Sequence, residues 1–208
     1  MSIVKLNNNG IKNATAFGSV SSGAMTFIKK LTASSSSTLS FVNGSSDVVL
    51  DNTYKEYLFI FKNIHPATDG VNFTFNGSDD SSSHSYDITK TTTAFRYYHG
   101  EDGSNGSMAY SSSTDLAQST SDQRLNHGDQ LGNGADENFV GYLHLFNPSS
   151  TTFVKHFIAQ TQMNSATNYS VGGNTAGYFN TTSAITAIQF SMTSGNIDSG
   201  TITLYGIN

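Results

Sequence analysis

Three features of the sequence predict an all-β fold, an antiparallel β-sandwich of the jelly-roll kind. Its apolar residues fall in short runs that alternate with polar ones, and none repeats with the 3.6-residue period of a helix. Turn signals such as Asn43-Gly44 and Asn147-Pro148 separate the runs. The remaining chain is rich in Ser, Thr, Asn and Gly, which suits turns and a hydroxyl- and amide-coated surface. Together these features predict about eight to ten short strands packed in two layers.

In chain order, residues 1–24 are weakly patterned and interrupted by Gly10, Gly18 and Gly23, which reads as an extended arm. A single sandwich domain over residues 25–208 follows. Met25 to Leu31 and Thr38 to Val42 are strand candidates around the Ser34–Ser37 run. Tyr54 to Pro66 (YKEYLFIFKNIHP) is the most apolar stretch and the predicted central strand. With a period of two, Tyr57, Phe59 and Phe61 point one way and Leu58, Ile60 and Ile64 the other. A strand apolar on both faces needs cover on both sides, from a second layer of the same chain or from another subunit.

Val71 to Asn76 alternates strictly, with Val71, Phe73 and Phe75 inward and Asn72, Thr74 and Asn76 outward. Long polar loops follow at about residues 77–138, holding one strand at Thr92 to Tyr98 and room for a short helix in Ser112 to Leu125. Phe139 to Phe146 and Thr152 to Gln160 form a hairpin around Asn147 to Ser150. Tyr169 to Tyr178 is Gly-rich, and Ala184 to Met192 and Thr201 to Tyr205 supply the last strands. The predicted core comprises Phe41, Phe59, Phe61, Phe73, Phe75, Leu143, Leu145, Phe157, Ile188, Phe190, Ile202 and Leu204.

With 208 residues and no Cys, the chain is long enough to fold around a core without disulfides, and it offers no thiolate metal site or cysteine nucleophile. Charged residues make up 12% of the chain, against about 25% in an average globular protein. The ten Lys and Arg are scattered and the net charge is −5, which argues against nucleic acid as a partner. No apolar stretch reaches membrane-spanning length, and the N-terminus has no leader-like apolar segment, so neither a membrane nor a secretory route is expected.

Catalytic signals are weak. The acids Asp79, Asp80, Asp87, Glu101, Asp102, Asp122, Asp129, Asp136 and Glu137 crowd the middle, but their spacing matches no EF-hand loop. Solvated loop carboxylates are the simpler reading of them, with Ca²⁺ ligation as the alternative. The six His form no close metal-binding pair; His144 and His156 sit on one hairpin, where cross-strand packing accounts for them. Ser is abundant, but the Gly-x-Ser-x-Gly elbow is absent. No catalytic residue, cofactor or metal ligand is therefore assigned, and the chain is not expected to be an enzyme. Tyr97, Tyr98 and Tyr110, with Phe95, lie near Gly-, Asp- and Asn-rich loops; packing beneath those loops is the simpler reading, and recognition of a sugar the alternative, since a ring offers an apolar plate among polar neighbours.

The blocks VKLNNNGIKNATAFGSV, TYKEYLFIFKNIHPATDG, ITKTTTAFRYYH, YLHLFNPSSTTFVKHF and GNIDSGTITLYGI run through nearly the whole chain. In them the sequence resembles structural proteins of tailed-bacteriophage virions, of the marine and cyanophage type, most clearly in its GNIDSGTITLYGI ending. The resemblance implies a non-enzymatic virion component assembled in the host bacterial cytoplasm, and it carries no catalytic residues. A capsid decoration or cement protein on the outer surface is the leading expectation; a tail or head fibre component or glycan-binding module is the alternative. The implied partners are other copies of the chain, as a trimer or higher oligomer, other virion proteins such as the major capsid protein, and, in the alternative, a host surface glycan. The arm's apolar points Ile3, Val4, Leu6, Ile11, Phe17 and Val20 are the candidate docking residues onto a neighbouring subunit.

Overall fold

The computed structural model describes residues 24–208. It contains twelve strands and, among the described residues, no helix: β1 (Met25–Thr32), β2 (Thr38–Val42), β3 (Glu56–Pro66), β4 (Phe73–Ser78), β5 (Lys90–Gly100), β6 (Gly106–Tyr110), β7 (Gln123–Arg124), β8 (Phe139–Phe146), β9 (Lys155–Asn164), β10 (Tyr169–Phe179), β11 (Ala187–Met192) and β12 (Ile197–Ile207). They form an eight-stranded sheet in the order β1-β12-β3-β8-β9-β10-β5-β6 and a four-stranded sheet in the order β2-β11-β4-β7. All pairings are antiparallel.

The strand order makes the jelly roll explicit. β1 pairs with β12, β2 with β11, β3 with β8 and β4 with β7, so a long antiparallel ribbon is wound into two facing sheets. Two hairpins interrupt the ribbon, β5–β6 between β4 and β7, and β9–β10 between β8 and β11. They join each other through the β10–β5 pairing and extend the larger sheet beyond β8.

The core lies between the sheets, and every residue of the predicted core is buried. Its centre is a group of rings in mostly edge-to-face contact. Phe41 and Phe59 have centroids 5.2 Å apart, Phe61 and Phe73 5.4 Å, and Phe61 and Phe190 5.3 Å. That geometry sets the positive edge of one ring against the negative face of another.

The central strand departs from strict alternation. Leu58 and Ile60 face away from the core, but Ile64 is fully buried beside Phe61. The register slips between these two residues, and Asn63 takes a left-handed conformation at φ 52°. This β-bulge re-aims Ile64 inward. Opposite it, a Cβ on Gly200 (φ 111°) would lie 2.4 Å from the Asn63 carbonyl oxygen, so the bulge requires glycine there.

β4 corrects a second expectation. Asn72, Thr74 and Asn76 are buried and hydrogen-bonded, not exposed. Asn76 donates to the Thr120 carbonyl and to Asp122, while Thr74 bonds to Ser191 on β11. β4 lies inside its sheet, and the segment before β7 closes over its outer side.

That segment is also where a helix was predicted, in Ser112 to Leu125. Its backbone is instead committed to β5, where Ser111 N–H donates to the Ala94 carbonyl, Thr92 N–H to the Leu116 carbonyl, and Lys90 and Ser119 exchange a pair of bonds. Ser, Thr and Asp are poor helix formers because their side chains compete for backbone groups, so these partners win.

Candidate functional site

Residues 111–131 cross the inner side of the sheet extension and leave a cleft at its open end. His127 fastens the crossing. Its ring is buried, with Nδ1 2.8 Å from Thr114 Oγ1 and Nε2 2.7 Å from Thr175 Oγ1. One ring nitrogen donates and the other accepts, which suits the neutral imidazole. Burial, with lesser contributions from Arg124 and Arg96, pushes its pKa down to about 4. The Gly-rich β10 makes the room: a Cβ on Gly173 would lie 2.3 Å from His127 Cδ2, and one on Gly172 2.1 Å from the Tyr97 ring on the opposite face.

The cleft beside this ring encloses about 290 Å³ and is lined by Arg96 and Tyr98 of β5, Asn105 of the β5–β6 turn, Asp129, Thr167 of the β9–β10 turn and Tyr169 at the start of β10. Tyr98 and Tyr169 meet edge to face with centroids 5.6 Å apart and form its apolar wall. The Arg96 guanidinium lies 5.4 Å from the Tyr98 ring centroid and packs against Gly128, where any side chain would collide with it. Arg96 Nε is buried without a hydrogen-bond partner, and among the described residues no carboxylate lies within 4.0 Å of the guanidinium.

Asp129 is held in place across the cleft. Its Oδ2 accepts the hydroxyls of Ser165, at 2.6 Å, and Thr167, while Oδ1 accepts the Gln130 N–H at 2.8 Å. Asn105 Nδ2 reaches Tyr169 Oη at 3.3 Å. The cleft thus combines a ring wall, an unpaired cation, an acceptor and an amide, a set suited to binding a polar, ring-shaped ligand.

The structure divides the predicted recognition tyrosines. Tyr97 and Tyr98 lie on β5, where a strand was expected, and Tyr110 lies on β6, a strand in place of the expected loop. Successive strand residues face opposite sides, so Tyr98 joins the cleft while Tyr97 and Tyr110 lie on the outer face of the large sheet. There Phe95 pairs with Tyr110 and Tyr97 with Met108. The arm residues Ile3, Val4, Leu6, Ile11, Phe17 and Val20 lie outside the described residues. Arg96, Asn105 and Tyr169 were missed by sequence reasoning, and Asp129 stood only among the scattered acids. The legible signal was that Arg96 and Tyr98, two apart on a predicted strand, share a face.

The outer face of the eight-stranded sheet is the second notable feature. Among the described residues, every exposed large apolar side chain except Phe153 lies on it: Met25, Phe27, Phe95, Tyr97, Met108, Tyr110, Tyr142 and Ile158. One cross-strand row runs Phe27, Tyr205, Leu58, His144, Ile158 and Ala176 without a carboxylate, Lys or Arg.

The other chemical candidates resolve differently. Asp80, a carboxylate of a surface loop, organises that loop: Oδ1 accepts the N–H groups of Ser82, Ser83 and His84, and Oδ2 that of Ser85. These bonds hold its pKa far below the usual carboxylate value. His144 stands opposite Ile158, not His156, and its Nε2 lies 2.9 Å from Glu56 Oε2. Among the described residues no three His, Asp or Glu side chains gather closely enough to hold a metal ion.

No protein-family model matches this chain, and no curated protein matches it in sequence.

Proposed function

We propose that the chain is a non-enzymatic structural protein of a tailed-bacteriophage virion that decorates the outside of the capsid and associates there with copies of itself. The observation that carries this reading is the set of exposed aromatic and aliphatic side chains on the outer face of the eight-stranded sheet. Eight strands span roughly 35 Å at the usual strand spacing and, at about nine residues each, roughly 30 Å along the strands, so the face measures on the order of 1,000 Å², enough for one partner's share of a standard protein interface. One row across it carries no Lys, Arg or carboxylate, the next mixes Ile60, Tyr142, Phe95 and Tyr110 with Thr203, Gln160 and Asn174, and Glu56, Lys30 and Lys62 lie towards the margins, as at the rim of an interface. The sequence resemblance supplies the setting, with the host bacterial cytoplasm as the place of assembly and the major capsid protein as the surface beneath.

Quantitative mass spectrometry of purified virions tests it. A copy number on the scale of the capsid lattice supports decoration; a copy number on the scale of the tail or its fibres overturns it. A second reading, a glycan-binding module of a tail or head fibre, is favoured by the cleft, where Tyr98, Tyr169, Arg96 and Asp129 place a ring wall beside polar groups. Under it, a glycan array gives binding that Tyr169→Ala abolishes and Tyr97→Ala leaves unchanged.

A further inference from the structure

We propose that the cleft between β5, the β5–β6 turn and the β9–β10 turn binds a sugar acid, a saccharide whose ring carries a carboxylate. Arg96 takes the carboxylate, and Asp129 and Asn105 take hydroxyls. The proposal rests on the glycan-binding reading and adds the charge of the ligand.

Arg96 sets the preference. A guanidinium carries five N–H donors in one plane and cannot be deprotonated in a protein. Here the guanidinium lies over the Tyr98 ring, a contact with the π-face that satisfies none of its N–H donors. Nε is buried with no partner, and the described residues offer no carboxylate within 4.0 Å. Nε lies out of a ligand's reach, but the two terminal nitrogens are neither hydrogen-bonded to the described residues nor fully buried, and a planar carboxylate matches their fork in geometry and sign.

Asp129 explains why a bare anion is not the better ligand. A free phosphate would meet this carboxylate across the cleft and be repelled. A sugar acid separates the two requirements, presenting its carboxylate to Arg96 and a hydroxyl donor to Asp129. The carboxylate is already fixed by Ser165, Thr167 and Gln130, so accepting a further hydroxyl needs no reordering. The apolar face of the sugar ring then lies along Tyr98 and Tyr169, and Asn105, on an exposed turn, can turn its amide from Tyr169 Oη to the ligand. The cavity, about 290 Å³, lies at the lower end of small-molecule sites, which suits one saccharide unit with its neighbours extending into solvent.

The test uses the full chain on an array of neutral and acidic glycans, followed by saturation-transfer NMR with D-glucuronic acid, N-acetylneuraminic acid, D-glucose and inorganic phosphate. Expected are binding of at least one of the two acids and a preference over glucose of about tenfold or more, the size of a charge-assisted bond. Arg96→Gln removes the preference. Because Arg96 packs on Gly128, Arg96→Lys and the exposed Asn105→Ala serve as companions, each expected to weaken binding with the circular dichroism spectrum unchanged. Equal binding of glucose, or full activity of both companion variants, overturns the acid preference while leaving the glycan reading standing. Phosphate binding as tightly as either acid overturns the saccharide part. Silence across the whole array overturns the glycan reading itself.

Discussion

Burial holds His127 neutral, and that makes it a source of pH-dependent stability. Its pKa falls from the usual 6.5 to about 4 in the fold. Between those values the unfolded chain binds a proton that the folded chain does not, so stability rises with pH through this window and is lost as the pH falls through it. The loss amounts to roughly 3 kcal/mol at most, at about 1.4 kcal/mol per unit. Urea unfolding at pH 7 and pH 4 measures it, and His127→Gln is expected to flatten the difference. A stability profile with unchanged slope in the variant would remove His127 from the account. Asp80 acts in a separate window: its pKa is depressed, so its contribution is present above the usual carboxylate value of 3.8 and fades only below it. Asp80→Ala is expected to speed amide exchange at Ser82, Ser83, His84 and Ser85, whose N–H groups it accepts, and to leave the sheets protected. Uniform exchange across the molecule would instead mean that the loop is not a separate unit.

Among the elements, β10 shows how side chains can be displaced by what must pack on them. On its inner face the His127 ring occupies the place of a Gly173 side chain, and on its outer face the Tyr97 ring occupies that of Gly172. Gly173→Ala would press on a buried ring pinned by two Thr hydroxyls, and is expected to cost about 1–3 kcal/mol in urea unfolding. Gly172→Ala presses on an exposed ring that can swing aside, so it is expected to cost less. Equal costs would mean that His127 moves as freely as Tyr97. The same strand marks where the sequence stopped being legible. Alternation placed Phe59, Phe61, Leu143 and Phe190 correctly because each lies on a regular strand with one dry face. It failed at Ile64, where a bulge adds a residue, and at Asn72, Thr74 and Asn76, whose outer side is covered by a segment distant in the chain. The cleft was only partly legible for the same reason. Alternation alone separates Tyr97 from Tyr98 and aligns Tyr98 with Arg96, but nothing local shows that Asp129 and Tyr169 arrive beside them.

For the whole molecule, the unusual property is a jelly roll whose larger sheet carries a set of exposed aromatic and aliphatic side chains on its outer face, among Thr, Gln, Asn and His. The inner face is covered by the smaller sheet and by residues 111–131, while the outer face carries Phe27 at 59% exposure and Ile158 at 46%. Ile158 is the informative position. It sits between His144 and Ala176 in the row without a carboxylate, Lys or Arg, near the middle of the sheet. A charge placed there faces solvent in a single copy and would cost little stability, within about 0.5 kcal/mol for an exposed site. Between two copies the same charge would be buried without a partner, which is prohibitive for an interface. Ile158→Asp is therefore expected to leave the circular dichroism spectrum and unfolding midpoint near those of the parent while reducing it to a monomer in sedimentation velocity. Phe153→Asp, equally apolar and 68% exposed but off this face, is expected to sediment as the parent does. If the parent is monomeric at high concentration, or if Ile158→Asp assembles as the parent does, the outer face is not the self-association surface and the decoration reading loses its structural support.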